Sequence, residues 1–222
     1  MIQRIIEDIE HLKIGLLGFR RSCFIPALKE YGLKYTFLQQ YQDIDETFDF
    51  VVESGVYDII PEKYLSKPKY GVIGIHESPM PEGRGHAPLQ WAVLNNRPNL
   101  TVSLYRLNSK VDAGEIIYQQ QVEISRLDTY EELEEKRQAG ITKCFRNFLA
   151  ELSQGVLVLR EQTGASSYHK KRKPVDSCLD STKSLDSLWD NIRICDNVNY
   201  PAHFYVEGKK IILRYEVSDD NS

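Results

Sequence analysis

The run Lys13-Ile-Gly-Leu-Leu-Gly18 constrains the fold more than any other stretch of the chain. A short apolar run that stops at a glycine, with Pro26 opening a helical segment soon after, describes a buried strand feeding a helix. Strands buried on both faces belong to parallel sheets, which helices cover on either side. Residues 35–38, 48–53 and 70–75 repeat the pattern, with loop or helical segments between them. The alternation predicts an α/β fold built on a doubly wound, mostly parallel sheet.

Further along, residues 87–95 read as a helix, and residues 101–107 and 116–124 as strands bordering a hairpin-like excursion. Asp128 or Thr129 opens a helix that runs to about residue 154, because either side chain accepts orphan backbone N–H groups and the following acids meet the positive helix end. Gly155 ends it. From Thr163 to Pro174 the residues turn small, polar and basic, which predicts a linker. Beyond it come a short helix over 184–193 and two strands, 202–206 and 210–215, joined at Glu207-Gly208. The expected division is a main α/β domain over residues 1–162 and a small C-terminal α+β extension over residues 163–222.

With 222 residues the chain has room for one full core and an appendage. No apolar run approaches the roughly 20 residues that cross a bilayer, so a membrane role is not expected. Residues 1–11 mix acids and bases among isoleucines and read as no signal peptide. The four cysteines, Cys23, Cys144, Cys178 and Cys195, form no C-x-x-C pair; no metal site is indicated, and reduced thiols in a cytoplasmic protein are expected. A net charge of −4 disfavours a general nucleic-acid binder. The one basic cluster, residues 169–173, reads as a solvated loop.

Chemistry concentrates in two segments. Gly74-Ile-His-Glu-Ser-Pro-Met-Pro-Glu-Gly-Arg-Gly-His-Ala-Pro88 puts His76 at the C-terminal end of a parallel strand, where open α/β sheets bind ligands. Leu107-Asn-Ser-Lys-Val-Asp-Ala-Gly-Glu-Ile116 puts Asp112 on a turn before a strand, where a carboxylate can orient and charge His76. Singly, each is ordinary. A lone histidine is more often structural than catalytic, Asp-x-Gly is a common turn, and Pro79, Pro81 and Gly83 can simply shape a loop.

The order of the parts carries more. A strand, then x-x-His-x-Ser-x-x-Pro-x-x-Arg-Gly, a helix, a strand and Val-Asp-x-Gly-x-Ile resembles the folate-dependent formyltransferase family, which includes methionyl-tRNA, glycinamide-ribonucleotide and sugar N-formyltransferases. The likeness extends back through Ile59-Ile-Pro-Glu-Lys-Tyr-Leu65 to Phe48-Asp-Phe-Val-Val and forward through the Asp128 helix. The tail, with Tyr168-His-Lys-Lys-Arg-Lys-Pro-Val-Asp176, Asn191-Ile-Arg193 and Asn199-Tyr-Pro-Ala202, is similar to the end of the sugar enzymes.

The resemblance implies a Rossmann-like formyltransferase fold, with residues 1–162 as its catalytic domain and His76 and Asp112 as catalytic residues. An amine attacking a formyl carbon must lose a proton while the carbonyl oxygen gains negative charge. An imidazole polarised by a carboxylate serves both needs. The donor implied is 10-formyltetrahydrofolate, its pterin held largely by backbone near Ile59, Ile60 and the loop Asn108, Val111, Asp112. The opening Gly15-Leu-Leu-Gly18 lacks G-x-G-x-x-G, which disfavours a nicotinamide cofactor. The acceptor implied is a nucleotide-linked 4-amino-4,6-dideoxy sugar, as in pseudaminic-acid-type enzymes, contacted by Ser78, Arg84, Gly85, Tyr105, Tyr168, Arg193 and Tyr200. Relatives also imply a homodimer through the tail.

One position departs from the pattern. The family carries an asparagine two residues before the histidine, and this chain has Gly74. A slower enzyme, a lost activity, or a replacement donor (Gln90, Gln120, a backbone amide or water) would each follow, and replacement is the favoured reading. A formyltetrahydrofolate hydrolase and a non-catalytic binding module are the competing classes.

Overall fold

The computed structural model describes residues 2–6 and 9–218. In chain order the elements are β1 (Ile2–Ile5), β2 (Ile14–Leu17), α1 (Ile25–Glu30), β3 (Tyr35–Phe37), β4 (Phe50–Glu53), α2 (Glu62–Leu65), β5 (Val72–His76), β6 (Arg84–Gly85), α3 (Pro88–Leu94), β7 (Asn99–Arg106), β8 (Ile116–Glu123), α4 (Tyr130–Leu152), β9 (Val156–Leu159), β10 (Tyr168–His169), α5 (Leu185–Arg193), β11 (Ala202–Val206) and β12 (Lys209–Leu213).

Six strands form the main sheet in the order β3-β2-β4-β5-β7-β8. The first four are mutually parallel, and β7 and β8 extend the sheet in antiparallel fashion. The architecture is therefore the mostly parallel α/β sheet expected from the alternation of apolar runs and helices. Every residue of β2, β4 and β5 is buried. The period-2 alternation of a strand explains why both faces are covered. Leu16, Phe50 and Ile73 point to one core with Phe24, Ile141 and Phe145. Leu17, Val51 and Val72 point to a second core with Ile60 and Leu65. Each such side chain withdrawn from water contributes about 1.5–3 kcal/mol.

The long helix α4 starts at a capping box. Thr129 Oγ1 accepts the Glu132 N–H at 3.3 Å, and Glu132 Oε2 accepts the Thr129 N–H at 2.7 Å. Of the two expected caps, Thr129 is the one used. Asp128 instead accepts the Ser125 N–H at 2.7 Å and pairs with Lys136 Nζ at 2.6 Å.

Two strand pairs are new relative to the sequence reading. β1 and β9 pair antiparallel, and β6 and β10 pair in parallel across two residues each. The β6–β10 pair is held by backbone groups, so no apolar alternation announces it, whereas β9 buries Leu157 and Leu159 in the main core. The second pair changes the picture of residues 163–174: a stretch that reads as a linker is tied at Tyr168 and His169 to the Arg84-Gly85 segment. Beyond it, α5, β11 and β12 enclose a small core of Leu179, Leu188, Ile192, Cys195 and Ala202. All four cysteines are free thiols. Among the described residues, no helix is long and apolar enough to cross a membrane.

Candidate active site

His76 is the last residue of β5 and is buried. Its Nε2 lies 2.8 Å from the carbonyl oxygen of Gly83, which can only accept, so the ring proton sits on Nε2 in this arrangement. Nδ1 lies 3.8 Å from Asp112 Oδ2. That separation is too long for a hydrogen bond. The β7–β8 connection leaves the sheet beside the start of β5, since β7 runs antiparallel to it, and the pair comes together because that connection folds back to Tyr105 and Gly85, where Asp112 is held.

Asp112 adopts a left-handed φ of 49° on that connection. Its side chain is held on both oxygens: Tyr105 O–H donates to Oδ1 at 2.7 Å, and Gly85 N–H donates to Oδ2 at 2.7 Å. Gln162 Nε2 donates to the backbone oxygens of Asp112, at 2.9 Å, and Gly114, at 2.8 Å. The Gln162 side-chain oxygen in turn accepts from Arg84 Nε at 3.2 Å and Nη2 at 2.7 Å, and Arg84 Nη1 donates to the Tyr168 hydroxyl at 3.1 Å. The two chemistry-bearing segments and the start of the tail thus form one polar network. Gly85 is required at its place in it. Its φ is +97°, and a Cβ there would stand 2.6 Å from the His169 carbonyl oxygen.

One level down the sheet, Glu53, Gly74 and Tyr105 lie side by side on β4, β5 and β7. A Cβ on Gly74 would stand 2.3 Å from Leu107 Cδ1, 2.8 Å from Glu53 Oε1 and 3.1 Å from the Tyr105 ring. The volume left by the missing side chain is therefore filled by its neighbours. Glu53 is buried, and burial pushes its carboxyl up to about 8, an effect the Val56 N–H opposes and the charges of Asp112 and Glu77 reinforce. Burial likewise raises the Tyr105 hydroxyl well above its ordinary value, with Asp112 adding to it.

Beside the pair, a cleft is lined by Glu77, Ser78, Gly83, Arg97, Ser167 and His169. Two polar atoms in it, Ser78 Oγ and His169 Nδ1, are buried without a hydrogen-bond partner. Such atoms are costly unless something else meets them, and they mark the cleft as built for a polar guest. His169 also stacks on Trp91 at 5.3 Å between ring centres. Burial lowers its pKa, and the charges of His76 and Arg97 act in the same direction. On the other side, Ile60 and Leu107 share one apolar cluster, which brings the 59–60 segment against the start of the Asp112 loop. Ile59 and Val111 are exposed there, at 70% and 47%, and Asn108 shapes the loop by accepting the Lys110 N–H at 2.9 Å.

The structure thus joins His76, Asp112, Arg84, Gly85 and Tyr168 through one set of polar contacts, with Ser78 lining the cleft two residues beyond His76. Two substrate assignments from sequence, Tyr105 and Arg193, are corrected, and the third, Tyr200, lies apart from the His76 group. Tyr105 is buried and engaged with Asp112, so it positions that carboxylate and presents no face to a nucleotide. Arg193 is buried on α5, where it donates to the carbonyl oxygens of Ser125 at 3.0 Å and Asp128 at 3.1 Å and to Asp190 at 2.7 Å; it secures the approach to α4. Tyr200 is 61% exposed on the loop after α5, and among the described residues no hydrogen bond, ring contact or ion pair joins it to the His76 group. Glu53, Gln162 and His169 escaped the sequence reading. Only the last carried a signal, a histidine in a run otherwise made of lysine and arginine.

Comparison with known proteins agrees with this geometry. The formyl transferase family model matches residues 34–146, a span that includes His76 and Asp112. The methionyl-tRNA formyltransferase of Thermotoga neapolitana is 31% identical over 175 residues, covering 78% of this chain and 56% of the relative. The chain spans between 46% and 65% of the length of the curated relatives it matches. A solved 4-N formyltransferase from Francisella tularensis shares the fold with a TM-score of 0.78 at 16% identity, over 94% of this chain and 98% of that one. HypX from Aquifex aeolicus, solved in complex with tetrahydrofolic acid, shares it with a TM-score of 0.74 at 18% identity, over 91% of this chain and 37% of that one. The chain belongs to the formyl transferase family.

Proposed function

We propose that this protein transfers a formyl group from 10-formyltetrahydrofolate to the amine of a nucleotide-linked amino sugar, a 4-amino-4,6-dideoxy sugar of the kind used in surface-glycan synthesis, in the cytoplasm. The observation that carries the reading is the convergence of His76 and Asp112 at the C-terminal edge of the sheet, inside the family-matched segment. The folate is supported by the apolar edge at Ile59 and Val111, and by a fold shared with a protein solved with tetrahydrofolic acid. The sugar is supported by the fold shared with a 4-N formyltransferase and by the unpartnered Ser78 and His169 atoms in the cleft. In this reading residues 1–162 supply the catalytic machinery, and the extension from residue 163 contributes Tyr168 and His169 to the acceptor side.

The chemistry follows from the residues. Asp112, fixed by Tyr105 and Gly85, stands beside Nδ1 of His76 and orients the ring. His76 Nε2–H, now turned to the Gly83 carbonyl, is the donor available to the formyl oxygen as that oxygen gains charge. The proton lost by the attacking amine passes to the His76–Asp112 pair directly or through water. Arg84 and Tyr168, joined to Asp112 through Gln162, flank the acceptor.

The test is incubation with 10-formyltetrahydrofolate and a panel of nucleotide-linked amino sugars, read by mass spectrometry for a formyl-sized gain. A gain on a 4-amino sugar supports the reading. A gain only on methionyl-tRNA supports a second one, favoured by the sequence relatives of that name. Formate release without an acceptor points to hydrolysis.

A further inference from the structure

Resting on the formyl-transfer reading above, we infer that the Glu53 carboxyl group is a further catalytic residue, donating a hydrogen bond to the formyl oxygen from beside position 74, where β5 carries no side chain.

Glu53 closes β4 at the sheet edge where β5 delivers His76, and it is paired in register with Gly74. It is buried, and its Oε1 lies 2.8 Å from where a residue-74 Cβ would be. Every ionisable group facing it is acidic, neutral or shared with the catalytic pair. Asp112 faces it from the β7–β8 connection, Glu77 from the end of β5 and Tyr105 from β7, and His76 is held at the far side of Asp112. Its one backbone partner is the Val56 N–H, at 3.4 Å from Oε2. No cation is among these neighbours. A carboxyl group in such a place keeps its proton, and a neutral acid is a hydrogen-bond donor. Burial pushing Glu53 up to about 8 agrees with this.

The geometry answers the question raised by Gly74. The glycine removes a side chain from β5, and the Glu53 carboxyl from the neighbouring strand reaches the same volume beside the Leu107 methyl. Gln120, weighed as a replacement donor from sequence, is turned elsewhere: its side chain donates to the Gln121 carbonyl at 2.8 Å and accepts from Asn147 at 3.1 Å. In the reaction the amine nitrogen forms its bond to the formyl carbon, and a carbonyl electron pair moves to the oxygen. The amine proton goes to the His76–Asp112 pair or to water, and the carbon–nitrogen bond to the folate breaks as that nitrogen gains a proton. Glu53 shares its proton with the oxygen throughout and does not release it.

The test uses the full chain with variants Glu53→Gln, Glu53→Met and Glu53→Met/Gly74→Asn. Glu53→Gln keeps a donor that does not titrate, so activity persists in part and the fall in kcat expected of the natural residue as pH rises through about 8 is absent. Glu53→Met keeps the bulk without the donor and lowers kcat about 10²- to 10³-fold with a small change in KM for the folate. The double variant, with an amide restored on β5, recovers part of that loss. A second measurement does not depend on turnover. Infrared difference spectra at neutral pH show a protonated carboxyl band that is absent in Glu53→Gln, and the band shifts when a non-reactive formylated folate analogue binds. A Glu53→Met protein with unchanged kcat, an alkaline limb that survives in Glu53→Gln, or a carboxyl band that is missing or unmoved by the analogue overturns the inference. A band that shifts in a protein transferring formyl to no acceptor upholds the Glu53 contact and removes the sugar reading instead.

Discussion

Asp112 is placed by residues far from it in sequence, and that determines what single changes around it should do. Tyr105→Phe deletes the donor to Oδ1 and leaves one carboxylate oxygen of a largely buried group without its partner. Hydrogen bonds to charged groups contribute about 1.5–3 kcal/mol, so the variant should lose about that much stability in urea unfolding. Its kcat should fall about tenfold, since about 1.4 kcal/mol of lost positioning is a decade in rate. An unchanged kcat would show that Tyr105 only fills space. At this scale the sequence was most informative about His76 and Asp112, whose flanking glycines and prolines form recognisable patterns. It was least informative about Glu53, Gln162 and Tyr105. Their roles depend on strand register and on which loop crosses which, and nothing adjacent to them in the chain records either.

At the scale of elements, two contacts invite separate tests. The β6–β10 pair requires Gly85, because a Cβ there would meet the His169 carbonyl at 2.6 Å in a left-handed backbone. Gly85→Ala should cost about 1–3 kcal/mol, seen as a lower urea midpoint. It should also abolish most activity, since the Gly85 N–H that holds Asp112 moves with the strand. Arg193 gives the opposite pattern. Arg193→Met orphans the Ser125 and Asp128 carbonyls, so it should destabilise the fold by about 2–3 kcal/mol while leaving KM for the acceptor unchanged below the melting range. A raised acceptor KM without loss of stability would restore Arg193 as a binding residue. Elements carried by apolar periodicity were legible: the four parallel strands, β7, β8, α4, and the tail helix and hairpin all appear within a few residues of where the sequence puts them. The β6–β10 pair was not, because a two-residue pairing satisfied by backbone alone needs no side-chain pattern; β1 and β9 were not either, since each is only four residues long, although β9 buries Leu157 and Leu159.

The whole molecule carries a titration signature that links fold to site. Glu53 is shifted upward, from an ordinary 4.5 to about 8. Over that window the folded chain keeps a proton that the unfolded chain has lost, so stability falls as pH rises, by up to about 1.4 kcal/mol per pH unit. The contribution is fully present below about 4.5 and gone above about 8. Glu53→Gln should flatten this slope and be more stable than the natural protein at the alkaline end, as measured by urea midpoints across the window. A parallel slope in both proteins would mean that another group sets it. The measurement closest to the central claim is the rate of formyl transfer to a nucleotide-linked 4-amino sugar by the natural protein, His76→Ala and Asp112→Asn, each shown folded by circular dichroism. The account predicts a formylated sugar from the natural protein and at least about a 10²-fold loss in each variant. Full transfer by either variant, or formate as the sole product, would contradict it.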